Sequence, residues 1–201
     1  LPVDDQDRTK VEEFMQRFAA VQADPAFFQV RDVARRIAGT GSLGLERYVI
    51  LVRGRGDPDE NFLLGLKWAP GSALAPYIPG PQPGWQHEAE RVVAIQRRMQ
   101  AIAPAFLQAV TIDERSYVLR ELLPTEDRLQ LEHWHGKSRR LEQVLDVMGK
   151  LVAWDHLRSG GRQGSATTDT LITFASQTTW QKPLLEYAIS YSAQVMQDWQ
   201  R

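Results

Sequence analysis

The stretch from residue 39 to residue 69 leaves few folds open. GTGSLG (39–44) places glycines at 39, 41 and 44, a G-x-G-x-x-G. RYVILVRG (47–54) follows, rich in β-branched and aromatic residues and closed by Gly54. RGDPDEN (55–61) is turn-forming and FLLGLKWA (62–69) is a second strand candidate, so the pair reads as a hairpin with a long loop. A dinucleotide-binding fingerprint needs a helix opening at its third glycine, and here a strand follows instead. A G-x-x-x-x-G-K-[ST] loop is excluded as well, because no G-K-[ST] follows. What remains is a glycine-rich turn between strands. It is either a plain turn or a lid whose backbone N–H groups lie over phosphates, with the Ser42 hydroxyl as a further donor.

The strand after it sharpens the choice. Phe62, Leu64, Leu66 and Trp68 alternate onto one face, leaving Leu63, Gly65 and Lys67 on the other. Protein kinases lay a glycine-rich hairpin over the nucleotide and aim a lysine of a nearby strand at its phosphates. In that arrangement the residue two before the lysine must be small to admit an adenine ring, and Gly65 meets this. A strand-end lysine is also an ordinary solvated residue, so Lys67 alone decides nothing.

PGSALAPYIPGPQPGW (70–85) is too rich in proline and glycine for regular structure. QHEAERVVAIQRRMQAI is helical and carries Glu88 and Glu90, either of which is placed to hold Lys67; Glu90 is preferred. Acids in a first helical turn are also what the macrodipole favours. FLQAVTID and SYVLRELLP flank DER as a second hairpin candidate. The segment YVLRELLP resembles a kinase strand-to-hinge connection, in which Glu121 through Leu123 would offer backbone groups to adenine. Two residues fit poorly. Glu46 stands where kinases place a valine over adenine, and Arg120 is an unusual cleft residue.

The flanks are mostly helical. RTKVEEFMQRFAAVQ has an apolar stripe at Val11, Phe14, Met15, Phe18 and Val21, and AFFQVRDVARRIAG reads as short helical or mixed. SRRLEQVLDVMGKLVAWDHL starts at a Ser138 N-cap, and Pro183 suits the first turn of a last helix. Trp154 and Trp199 lie on these stripes and are expected in the core, with Trp68 and Trp85 packing the proline-rich loop. RSGGRQGS (158–165) sets Arg158 and Arg162 in a glycine-rich turn as a candidate clamp for phosphate or carboxylate. The predicted fold is α+β and kinase-like, a small antiparallel lobe with one helix followed by an all-helical lobe. Its expected divisions are an N-terminal helical segment (1–30), a β-rich lobe (31–124) and an incomplete helical lobe (125–201).

Composition narrows function. The chain has 201 residues, 43% of them hydrophobic and 24% charged, as in a soluble globular protein. A formal charge of -1 advertises neither nucleic acid nor an anionic membrane. The absence of cysteine rules out disulfides, thiol catalysis and cysteine-ligated zinc, and a cytoplasmic location fits. His133 and His135, two apart, do not share a helical face, and no metal site is predicted. The chain begins without Met and is read as a fragment.

Three stretches carry a resemblance: IAGTGSLGLERYVILVRG (37–54), ERVVAIQRRMQ (90–100) and DHLRSGGRQGSA (155–166). Across most of residues 30–200 they resemble the C-terminal half of the DUF2252 family of uncharacterised bacterial proteins. Members are longer, and their N-terminal half carries GDxHxxNFG and DxNDFD motifs. Those look like the catalytic loop and metal-binding aspartate of aminoglycoside-phosphotransferase-like kinases. Neither motif occurs here, and no H-x-D-x-x-x-x-N or D-F-G follows WDHLRSG. The resemblance implies the ATP-binding part of a kinase-like phosphotransferase. Gly39, Thr40, Gly41, Ser42, Gly44, Gly65, Lys67, Glu90, Glu121 and Leu123 would hold Mg-ATP, while the base and magnesium ligands come from outside this chain, from an N-terminal half of the same protein. The rival reading is a non-catalytic, pseudokinase-like scaffold on the same fold.

Overall fold

Period-two alternation builds a five-stranded sheet in the computed structural model, which describes residues 1–39, 42–56, 60–80, 82–123, 129–131 and 135–201. The strands are β1 (Val30–Arg35), β2 (Arg47–Val52), β3 (Phe62–Trp68), β4 (Gln108–Ile112) and β5 (Arg115–Glu121). They run in the order β1-β2-β3-β5-β4, every neighbour antiparallel. Tyr48, Ile50 and Val52, Leu64 and Leu66, and Tyr117 and Leu119 all turn to one face and are buried there. Helix α1 (Asp5–Ala20) covers that face with Val11, Phe14, Met15 and Phe18, the i, i+3, i+4, i+7 stripe of an amphipathic helix. It is started by the Asp4 carboxylate, which accepts the Asp7 N–H at 2.7 Å. Residues 1–30 therefore share one core with the sheet.

The stretch expected to be short helical or mixed is instead a 3₁₀ turn (Pro25–Phe28) and then β1. The cause is a bulge: Val30 pairs with Val52 but Asp32 already pairs with Leu51, so one extra residue sits in β1. It sets the two core-facing valines, Val30 and Val33, three apart, a helix-like spacing that masks the strand. Phe106 (φ 58°) wedges edge-on between Phe28 and Phe62, with ring centres 5.1 and 5.6 Å away, and closes the far end of this core.

On the opposite face α2 (Glu88–Met99) buries Ala89 and Val93 against Val118, Leu107 and Ala69. Helix α3 (Ser138–Ser159) follows, with α4 (Thr168–Ser176) and α5 (Gln181–Trp199). Its C-terminal end is tied to α2: Arg158 donates to the Met99 carbonyl at 3.2 Å, and Arg98 donates to Gln163 at 2.5 Å. The second half is helical, as its patterning predicts. Its stripes, however, are not buried among the described residues: Trp154 is 48% and Trp199 84% exposed, not core. Trp85 lies under the Arg98 guanidinium and Trp68 under that of Arg115. Among the described residues, no helix is long and apolar enough to cross a membrane.

The carboxylate of Glu46 joins α1 to the sheet. It accepts from Lys10 Nζ at 3.0 Å and Tyr117 Oη at 2.5 Å, and it pairs with Arg115. Burial pushes its pKa up, but the donors from Tyr117 and Lys10 outweigh that and leave it below the ordinary carboxylate range. Burial and the Glu46 hydrogen bond raise Tyr117 to about 12. Since the folded pKa of Glu46 is depressed, its contribution is present above the unfolded value of 4.5 and lost as pH falls through the folded value. Glu46→Gln should lower stability by about 2 kcal/mol at neutral pH. In urea titrations the gap between variant and parent should narrow as the pH drops below 4.5; a gap independent of pH would refute the network. Gly54 supplies a second test. Its φ is +65°, and an added Cβ would lie 2.0 Å from the Glu60 carbonyl oxygen. Gly54→Ala should therefore cost at least about 2 kcal/mol in the same titration.

Candidate functional site

Strand parity that buries one face against α1 delivers the alternate residues to a cleft under α2. Arg47 stands opposite Lys67, Val49 opposite Gly65, and Gly65 opposite Arg120 across the three central strands. Lys67, Gly65, Arg47 and Arg120 line a cleft of about 210 Å³, joined by Arg36 from the end of β1. Val92 and Gln96, one turn apart on α2, form its opposite wall, while Val118 and Leu122 line it from the sheet beside Lys67 and Arg120. Gly65 adds no side chain to this lining, and a Cβ there would make only ordinary contacts with Leu122 and the Arg120 carbonyl, at 3.8 Å.

The electrostatics are one-sided. Among the described residues no Asp or Glu lines this cleft. Burial, then the charges of Arg47 and Arg120, hold the Lys67 pKa below the ordinary lysine value. Two guanidinium groups beside a half-buried ammonium describe a place for an anion. Arg47 also donates to the Ala38 carbonyl, so the same residue fastens the root of the glycine loop to β2. A second hollow of about 290 Å³ opens on the other side of Lys67, between Leu45, Pro70 and Arg91.

The remaining predicted residues divide. Residues 36–46 connect β1 to β2, so the glycine segment does bridge two antiparallel strands. Gly39 (φ 76°) and Gly44 (φ 80°) adopt left-handed backbone that only glycine accepts cheaply. The Ser42 N–H is donated to the Gly39 carbonyl at 3.2 Å and not outward. Thr40 and Gly41 lie outside the described residues, as do His133 and the proline after the hinge, Pro124.

Glu90 does not meet Lys67. Its carboxylate accepts the Gln86 N–H at 3.1 Å, a local bond at the helix start, and it borders a different depression with Trp85 and Arg97. Glu88, on the same helical row as Val92 and Gln96, pairs with Arg91 at 2.8 Å. No ion pair of Lys67 is formed with either.

Glu121 ties β5 to the loop before β4. Its N–H donates to the Ala105 carbonyl at 2.8 Å and its carboxylate accepts the Ala105 N–H at 2.9 Å. That N–H is thus not offered to a ligand, and it is Leu122, not Leu123, that lines the cleft. Arg158 is spent on Met99 and Asp155, while Arg162 binds the Ser165 hydroxyl only through its backbone N–H, at 3.0 Å. Neither forms the expected clamp. Glu46 points to the α1 side, so the residue that seemed to block the adenine position is not in the cleft at all.

Arg36 and Arg47 were not legible as site residues from composition or motif. The hairpin pairing, in which the two positions of every pair sum to a constant, was the available signal for Arg47 opposite Lys67. The magnesium ligands are expected from outside this chain. The cleft is lined by cations, and no group of three His, Asp or Glu among the described residues converges on one point. Gly65→Ala should leave stability unchanged or raise it by up to about 1 kcal/mol, because its Cβ has ordinary contacts and the unfolded chain loses freedom. Guanidinium denaturation measures this, and a loss above that size would refute the open-cleft geometry.

The whole chain, residues 1–201, matches the family model described as an uncharacterised protein conserved in bacteria, DUF2252. The match thus takes in α1 as well as residues 30–200. No curated protein and no solved structure matches the chain.

Proposed function

The chain belongs to the DUF2252 family, and from that premise we propose that it is the nucleotide-binding part of a kinase-like phosphotransferase. ATP enters the cleft between the sheet and α2. Its phosphates lie against Lys67, Arg47 and Arg120, and the base is admitted by Gly65 toward Leu122. The observation that carries the reading is Lys67 itself. It projects from a central strand into a cleft, two residues after Gly65, with two guanidinium groups beside it and no carboxylate among the described lining residues.

The order of elements supports it: glycine loop, strand, lysine strand, helix, hairpin and then helices. In this arrangement the chain's own residues bind and orient. Lys67 and the two arginines neutralise phosphate charge, while Val92 and Val118 exclude water from one side. Among the described residues that line the cleft none is a carboxylate or histidine that could take the acceptor's proton, so in this reading the base comes from elsewhere.

One observation favours the rival, a non-catalytic binding module on the same fold. Lys67 has no glutamate partner on α2, the contact that sets this lysine in active kinases. Both readings require the nucleotide site. Calorimetric titration of the chain with ATP should give saturable one-site binding. Lys67→Ala should weaken it at least about tenfold, with no drop in melting temperature, because removing one of three clustered cations relieves repulsion. Saturation absent from the parent, or unaltered in Lys67→Ala, would defeat the proposal. Phosphoryl transfer to an added acceptor would separate enzyme from module.

A further inference from the structure

Among its described residues the proline-rich stretch 70–85 does not line the cleft, yet its first residues close a cavity of their own. The hollow of about 290 Å³ beyond Lys67 is bounded by Leu45 at the end of the glycine segment, Pro70 and Ala73 of the proline-rich stretch, Val92 of α2 and Val118 of β5. Among the described residues of its lining, the side chains are apolar except those of Lys67 and Arg91. Arg91 is already paired with Glu88 at 2.8 Å. Lys67 is partly buried and forms no hydrogen bond or ion pair among the described residues. It lines the cleft as well, as do Val92 and Val118, so its ammonium stands between the two cavities.

The walls are tied to one another. The Ser116 carbonyl accepts the Ala69 N–H at 2.9 Å, beside Pro70, and the Ser116 hydroxyl accepts the Ala89 N–H at 3.2 Å, at the start of α2. In the proline-rich stretch the Ala75 N–H donates to the Ser72 carbonyl at 3.0 Å and the Tyr77 N–H to the Leu74 carbonyl at 2.9 Å, so the segment is folded on itself. An apolar cavity with one unpaired ammonium at its edge is matched by a molecule that is apolar over most of its length and carries one negative charge.

We propose that this hollow is a second binding site, for a small amphipathic monoanion, with its apolar body against Leu45, Pro70, Ala73 and Val92 and its carboxylate received by Lys67. The site depends on the hollow's own residues and not on a nucleotide in the cleft. Burial, then the charges of Arg47 and Arg120, weaken the hold of Lys67 on its proton, and a bound carboxylate restores it.

The test is calorimetry on the full chain with octanoate, octanol and acetate at neutral pH. Octanoate should bind at one site about tenfold tighter than octanol, and acetate should show no saturable binding. Lys67→Met should abolish that preference, whereas adsorption to the exposed apolar faces of α3 and α5 would ignore the change. Ala73→Trp fills the hollow from an exposed position that does not line the cleft. It should weaken octanoate at least about tenfold and leave the ATP titration and the melting temperature as in the parent. Octanol binding as tightly as octanoate, a preference that survives Lys67→Met, or octanoate binding unaltered by Ala73→Trp overturns the proposal. ATP binding without octanoate binding removes the hollow site and leaves the nucleotide reading standing. Octanoate binding that passes both variants in a chain that does not bind ATP keeps the hollow site and removes the nucleotide reading.

Discussion

A sheet sandwiched between two helices forces every residue of its central strands to one side or the other, and both the core and the cleft depend on that constraint. On β2, β3 and β5 the even-numbered positions of the first two strands and the odd-numbered positions of the third face α1, and Tyr48, Ile50, Val52, Leu64, Leu66, Tyr117 and Leu119 are buried there. The alternate set goes to α2, where it meets only Ala89 and Val93 in tight packing and otherwise borders open volume. A slip of one residue would carry Lys67, Arg47 and Arg120 into the apolar core, at a cost far above the stability of an ordinary domain. The register is thus fixed from the buried side, and the functional side inherits it.

The same partition separates charge. Glu46 and Arg47 are adjacent in sequence yet serve opposite faces. Glu46 is absorbed by Lys10, Arg115 and two tyrosines under α1. Arg47 faces Lys67 across the strand pair. Were the acid on the cleft side, it would neutralise the cluster and leave nothing for a ligand. On the α1 side it instead pins the C-terminal root of the glycine loop to a helix on the far face, and its carbonyl accepts the Trp68 N–H at 3.0 Å. Both roots of the loop are then anchored by residues 46 and 47, one through each face of the sheet.

Local pattern made much of this legible. Alternation identified the hairpins at 47–69 and 106–124, placed Lys67 with Gly65, and excluded a helix after the third glycine. Spacing identified α1, α2, α3 and α5. What it missed was set by relations between segments. β1 was hidden because its bulge gives two core-facing valines a helix-like interval. Glu90 was misassigned because residue type cannot tell a carboxylate that bonds its own helix start from one that crosses a cleft; the nearer backbone N–H won. Trp154 and Trp199 were expected in a core because an apolar stripe states that a face favours burial, not that a partner covers it. The importance of Arg47 and Arg120 depends on cross-strand register, which no single-segment pattern contains.

The cationic wall also explains why one face of the sheet is less well packed than the other. Burial first, and then the charges of Arg47 and Arg120, hold the Lys67 pKa below the ordinary lysine value, so keeping Lys67 charged costs folding free energy. The cost is borne because the α1 face supplies a continuous aromatic and aliphatic core from Val11 to Leu119. By linkage, whatever anion relieves the repulsion binds with that relief added to its own contacts, and it stabilises the fold in return. Beside the charged residues, the apolar side chains of Val92, Val118 and Leu122 border the remainder of the cleft.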